Sequence, residues 1–203
     1  MNEQVALKQL YALSKDVKTM RLASESWKTP FQTLISTILS ARTRDEVTIP
    51  VASRLFREYS SPNKLATAKI KDIQEIIKPV NFYRTKSKHI IQCAKVIVTL
   101  HGGRIPENID ELIKLPGVGR KTASVFLSEY GDQAIAVDTH VHYISNYLKW
   151  TRDKNPHKVE ADLKKIFPKK YWNKVNPTLV RFGKTHTSRT EKNKMLDEIK
   201  KVR

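Results

Sequence analysis

The sequence predicts an all-α fold. Apolar residues recur at i, i+3, i+4 and i+7 in one short segment after another, and no stretch alternates convincingly as a strand does. The third observation is Leu115-Pro-Gly-Val-Gly-Arg-Lys121. Pro116 fixes its own φ, and Gly117 and Gly119 can take φ > 0 without steric cost, so this stretch reads as a tight turn between two helices.

The segments justify the fold class in order. Glu3 to Met20 carries Leu10, Leu13, Val17 and Met20 at helical spacing, an amphipathic structural helix. Ser24 to Thr29 is a loop, and Pro30 suits the first turn of the next helix. Phe31, Leu34, Ile35, Ile38 and Leu39 then form a buried face. Ser40 to Asp45 ends that helix, and Glu46 to Tyr59 is another, with Val47, Val51 and Leu55. Ser60 to Asn63 turns into a short helix through Ala68. Ile70, Ile73, Ile76 and Ile77 mark the next, broken by Pro79-Val-Asn81.

Ile90, Ile91, Ala94 and Val98 make a further stripe, with Cys93 within it as an inert small hydrophobe. His101-Gly-Gly103 closes it. Pro106 and Glu107 start the first helix of the hairpin, with Ile109, Leu112 and Ile113. The second runs from Thr122 to Tyr130 with Ala123, Phe126 and Leu127. After the short apolar run Ile135-Ala-Val137, Asp138 stands at a helix N-cap, with Val141, Ile144 and Leu148 behind it. Asn155-Pro156 opens a helix with Val159, Leu163, Ile166 and Phe167. Tyr171 to Phe182 is one more, and Met195, Leu196, Ile199 and Val202 space out a last basic helix over Glu191 to Arg203.

Bulk properties narrow the function. A chain of 203 residues that is 39% hydrophobic can hold one large domain or two small ones sharing a core. No run approaches ~20 apolar residues, so no membrane span is expected. Glu3 and Lys8 fall where an export signal would be apolar, so none is read. The single Cys93 excludes an internal disulfide and an all-cysteine metal cage. The net charge of +18 favours a polyanionic partner, with nucleic acid ahead of a purely solubilising role.

The hairpin turn delivers backbone N–H groups to a helix N-terminus with no side chain on either glycine. That is an anion site which a phosphate can approach closely. Lys121 occupies the first turn of the helix. Near that terminus and beside Arg120, the charged ammonium is disfavoured, which suits Lys121 to act as a neutral amine. Asp138 follows in Ala136-Val-Asp-Thr-His140. Taken alone, Lys121 reads as a phosphate-contacting lysine and Asp138 as a helix cap.

Leu115-Pro-Gly-Val-Gly-Arg-Lys-Thr-Ala123 and Ala136-Val-Asp-Thr-His140 together resemble the helix-hairpin-helix DNA glycosylases with a Gly/Pro-rich loop and an aspartate. The resemblance is to their endonuclease III branch and continues from about Phe31 to Gly183. It implies two helical lobes with a cleft between them and the hairpin at the cleft. One lobe is 21–131. The other is 1–20 plus 132–203 and carries the aspartate. The implied activity is that of a bifunctional DNA glycosylase and abasic-site lyase of base excision repair, with oxidised pyrimidines as the expected lesions. The alternatives are the same chemistry on 8-oxoguanine or a deaminated base, or a non-catalytic DNA-binding module.

By the same resemblance Lys121 is the nucleophile and Asp138 the acid/base group. Relatives with tyrosine or serine in place of this lysine release bases without cutting the strand. Leu115, Gly117, Val118, Gly119 and Arg120 form the DNA-binding hairpin, with backbone N–H groups of Val118 to Lys121 on a phosphate. Arg42 stands where the family commonly has a gap-filling glutamine, and otherwise reads as an exposed helix-end arginine. Phe82 stands at the place of a leucine wedge, and otherwise reads as core. Arg84, Lys86 and Lys88 are phosphate contacts or a solvated helix start. His140 contacts DNA, supports Asp138 or packs in the core, and His142 is expected at the surface. Tyr143 and Tyr147 replace usual arginines.

The four cysteines that hold an iron–sulfur cluster in many members are missing from this sequence, so no such cluster is expected. The basic C-terminal helix is expected to pack in place of the cluster loop. No cofactor is expected, apart from a monovalent cation on the carbonyls of the hairpin turn. The expected partner is double-stranded DNA with a damaged base or abasic site. A monomer is expected, cytoplasmic and nucleoid-associated if the source is prokaryotic.

Overall fold

A computed structural model describes residues 2–130 and 134–202. The regular structure among these residues is helical, with no strand. The chain divides into two compact units, Arg21–Asp132 and Met1–Met20 with Gln133–Arg203. The lobe boundary read from the sequence, between 131 and 132, falls outside the described residues.

The first helix of the chain, α1 (Glu3–Lys15), is capped by Asn2, whose side chain accepts from Gln4 N–H. It stops before Met20. Asp16 leaves the helical region at φ −103°, and Lys18 N–H donates to Thr185 Oγ1 instead of continuing the helix. Val17 still packs on the core from outside the helix.

Among the described residues, seven helices build the unit Arg21–Asp132. Its centre is α2 (Pro30–Ser40), buried at every position from Phe31 to Leu39. Pro30 pre-sets the entry angle, and Thr29 caps Gln32 N–H. Then come α3 (Asp45–Glu58), α4 (Pro62–Ala66) and α5 (Ile70–Ile77). Asp45 and Glu46 favour the positive end of the α3 dipole. The long α6 (Tyr83–His101) packs on α4 and α5 and closes with Gly102 and Gly103, both at positive φ. In it Ile97, not Val98, completes the buried stripe.

The hairpin helices are α7 (Ile109–Leu112) and α8 (Arg120–Tyr130). The first begins later than Pro106, because the Asn108 side chain caps Glu111 N–H. The second begins earlier than Thr122 and packs on α2.

The other unit adds α9 (Thr139–Tyr147), α10 (Pro156–Ile166), α11 (Trp172–Thr185) and α12 (Arg189–Lys201) to α1. A 3-10 turn, Lys169–Tyr171, leads into α11. Its core gathers Leu10 and Leu13 with Val141, Ile144, Leu148, Phe167, Leu179, Phe182, Leu196 and Ile199. Trp150 packs edge-on against Phe167 at 4.9 Å, and its indole N–H donates to the buried Gln9 Oε1 at 2.7 Å. That bond ties the N-terminal helix to a segment far along the chain. The last helix is ordered, with Leu196 and Ile199 in the core.

Candidate active site

The hairpin turn separates its two glycines by role. Gly117 takes φ 81°, and a Cβ there would come within 2.8 Å of the His89 Cβ. Both backbone and packing exclude a side chain. Gly119 does not take positive φ, contrary to the freedom read for both, and a Cβ on it would meet nothing within 4 Å. The fold therefore leaves Gly119 open to the outside, where an approaching ligand would feel a Cβ. Its carbonyl accepts from Ala123 N–H at 3.0 Å and starts α8.

Leu115 and Val118 are buried, so they support the turn rather than project from it. Val118 N–H is used internally by Leu115 C=O at 3.0 Å. The expected amide cradle therefore begins at Gly119, not Val118, and continues through the first-turn amides of α8. Arg120 and Lys121 are exposed in that first turn. The fold leaves Lys121 exposed at the start of α8.

In the other unit, Ala134, Ile135 and Ala136 are buried, and Asn176 Nδ2 donates to Ala136 C=O at 2.7 Å. This pins the approach to Asp138, which is half-buried and caps α9. A single oxygen, Oδ1, accepts from His140 N–H and Val141 N–H, both at 2.9 Å. Capping thus occupies one carboxylate oxygen with two bonds and fixes the plane of the group.

The imidazole of His140 lies against α11: a Cβ at Gly183 would come within 2.1 Å of His140 Nδ1. Gly183 is a site residue that sequence reasoning missed; the available signal was a glycine directly after Phe182 on an apolar helix face. His142 is not a bare surface residue, since its Nε2 lies 3.1 Å from Lys154 C=O. Lys121 and Asp138 belong to different units.

Two more candidates share one corner of the first unit. Arg42 and Phe82 are non-glycine residues at positive φ, 56° and 60°. Such a conformation costs energy and persists only where surroundings impose it. Phe82 is 60% exposed, so the core reading does not hold. The Arg42 guanidinium lies 5.9 Å from the centre of the Phe82 ring. Asn81 Nδ2 donates to Arg42 C=O at 2.5 Å, and Asn81 N–H to Thr43 Oγ1 at 3.2 Å.

Lys86 is only 7% exposed, which overturns both sequence readings of it. Its Nζ donates to Leu39 C=O at 2.7 Å, Ala41 C=O at 2.6 Å and Thr43 Oγ1 at 3.3 Å. Burial lowers its pKa to about 8. It is a tie inside the protein, holding the loop that carries Arg42, and not a phosphate contact. Arg84 and Lys88 remain exposed, and Arg84 Nε donates to the Tyr83 hydroxyl at 3.2 Å.

Tyr143 and Tyr147 have a structural task. The Tyr143 hydroxyl donates to Asn193 Oδ1, and the Tyr147 hydroxyl to Asp197 Oδ1 at 2.8 Å. The bond to Asp197 is the main cause of the raised Tyr147 pKa. Residues four apart on α9 thus meet residues four apart on α12, which sets the register of the two helices. Cys93 is buried, and desolvation raises its thiol to about 12, so it stays a neutral hydrophobe. Among the described residues, no three histidine, cysteine or carboxylate side chains group as metal ligands. No described helix is long and apolar enough to cross a membrane.

A family model described as HhH-GPD superfamily base excision DNA repair protein matches residues 35–169. Endonuclease III of Thermotoga maritima is 46% identical over 156 residues, covering 76% of this chain and 73% of that protein. Endonuclease III of Bacillus subtilis is 39% identical over 159 residues, covering 77% and 73%. Among solved structures, a trapped endonuclease III–DNA covalent intermediate aligns with a TM-score of 0.81 at 33% identity, covering 93% of this chain and 89% of that one.

Proposed function

From the premise that this chain belongs to the HhH-GPD superfamily of base excision DNA repair proteins, as an endonuclease III relative, we propose that it is a bifunctional DNA glycosylase and abasic-site lyase. The observation that carries this reading is the position of Lys121, an exposed residue in the first turn of α8 directly after a turn whose Gly119 the fold leaves uncovered. The relative trapped as a covalent intermediate with DNA supports a covalent route.

The chemistry follows from those groups. DNA phosphate docks on the amides from Gly119 onward, and the damaged nucleotide is flipped out of the stack. With its ammonium proton first given up to water, the neutral Lys121 Nζ forms a bond to C1′ while the glycosidic bond breaks, that bond's electron pair leaving with the base, which takes up a proton. The attached nitrogen loses one proton to Asp138. The sugar ring opens with O4′ taking a proton, leaving a protonated imine at C1′. That imine acidifies C2′; a C2′ proton is removed and the C3′–O bond breaks, releasing the 3′ phosphate. Water hydrolyses the imine and restores Lys121. The Asp138 carboxylate also stabilises the cationic sugar in the transition state.

Arg42 and Phe82 then enter the duplex: the guanidinium bonds the orphaned base and the ring wedges the stack. The substrates are oxidised or ring-saturated pyrimidines. The enzyme works as a monomer without an iron–sulfur cluster.

Borohydride reduction on abasic-site duplex tests the mechanism. The native chain forms a covalent adduct, and Lys121→Gln forms none. Asp138→Asn keeps an oxygen to cap α9, so it melts like the native protein but turns over roughly 100-fold or more slowly. Binding without any adduct in the native chain would leave only a DNA-binding module. A panel of duplexes with single lesions decides between oxidised pyrimidines, 8-oxoguanine and deaminated bases.

A further inference from the structure

The start of α9 and the start of α12 border an open surface pocket of about 380 Å³ lined by Thr139, His140, Tyr143, Thr187, Arg189 and Lys192. No carboxylate is among these residues. Arg189 and Lys192 are three apart on one helix face, where like charges repel. Both are nevertheless drawn to one ring: the Arg189 guanidinium lies 5.9 Å and the Lys192 ammonium 6.0 Å from the centre of Tyr143. The ring offsets part of that repulsion through its negative face. Two hydroxyls, from Thr139 and Thr187, complete a donor-rich lining.

The pocket is built, not incidental. Tyr143 is held by Asn193 and Tyr147 by Asp197, so α12 is locked in register on α9. Leu196 and Ile199 anchor the same helix in the core. His140 is seated on Gly183, so its ring is placed by packing. Thr139 and His140 directly follow Asp138, which bonds the His140 amide. The pocket therefore adjoins the carboxylate assigned to the reacting sugar.

We propose that Arg189 and Lys192, with Thr139, His140 and Thr187, form a phosphodiester-binding pocket through which the C-terminal helix grips the backbone of the substrate DNA beside Asp138. The assignment rests on the glycosylase/lyase reading for the identity of its ligand. Two cations and two hydroxyls match a group that carries one negative charge and several acceptor oxygens. A pair of cations on a helix anchored in the core gives affinity without base specificity. On this account α12 is a DNA-binding element as well as a core helix.

The test measures the affinity of the full chain for duplex containing a stable abasic-site analogue across a salt series. Arg189→Gln plus Lys192→Gln weakens binding at least about tenfold near 0.1 M salt, and the slope of log affinity against log salt falls by about two. The charge-preserving pair Arg189→Lys plus Lys192→Arg retains most of the affinity. Lys200→Gln, at the far end of α12, leaves the slope within about half of one charge of the native value. A double Gln variant with native affinity and slope overturns the proposal, as does one that changes no more than Lys200→Gln. Should the double variant unfold, Arg189→Gln alone is decisive: a slope lowered by about one supports the pocket, and an unchanged slope sinks it. Loss of adduct in the native chain, with this salt pattern intact, would overturn the lyase reading and leave the pocket standing.

Discussion

An added Cβ at Gly117 would press on His89 at 2.8 Å on a backbone already at φ 81°, whereas at Gly119 it would meet nothing within 4 Å. Gly117→Ala is therefore expected to lower stability by about 2 kcal/mol or more, read as a shifted urea midpoint. Gly119→Ala is expected to leave that midpoint within about 0.5 kcal/mol while weakening DNA binding, because only the incoming phosphate meets the new methyl group. Lys86 makes a different prediction. Its pKa of about 8 lies below the ordinary 10.5, so between those values the unfolded chain binds more protons than the folded one. This group's contribution therefore makes the fold more stable as pH rises through that window, by up to about 3 kcal/mol. Lys86→Met removes the effect, so the native chain gains on the variant between about pH 8 and 10 in paired urea melts. The variant also loses the tie to Leu39, Ala41 and Thr43, and abasic-site affinity falls as the Arg42 loop loosens. None of this was legible at position 86, where a lysine between Arg84 and Lys88 looked like one more surface cation. Its burial depends on α2 ending beside α6, a long-range event.

At the scale of elements, the stripes in the sequence located most helices, and the ends went to local capping. Asn108 starts α7, and the turn of chain at Asp16 ends α1 before Val17. Asp138 was legible as a cap; that one oxygen takes both amide bonds was not, because side-chain rotation leaves no trace in a residue name. The last helix shows the same division. Its spacing marked Leu196 and Ile199, and only the folded unit shows Tyr143 and Tyr147 holding Asn193 and Asp197. Removing residues 188–203 uncovers the surface that Leu196 and Ile199 bury, at roughly 2 kcal/mol for each side chain. The expected outcome is a markedly lower melting temperature, measured by circular dichroism, with the loss concentrated in the unit that contains α1 and α9.

For the whole molecule, charge and cysteine count set the terms. A net charge of +18 on 203 residues makes association with DNA steeply dependent on salt. A lone buried Cys93 supports the proposal of a cluster-free enzyme. Protein made under iron limitation is expected to show undiminished lyase activity per mole, and a chelator is expected to leave abasic-site cleavage unchanged in a gel assay. The sequence by itself determined the all-α class, the hairpin with its lysine, the aspartate at a helix start and the polyanionic partner. Each of these is local: a period, a turn, a residue type or a sum. Tertiary structure alone decided that Lys86 is an internal tie, that Gly183 seats His140, that Phe82 is exposed beside Arg42, and that α12 brings Arg189 and Lys192 to Tyr143. These depend on which distant segments share a core, and burial and hydrogen-bond partners become defined only when that core closes.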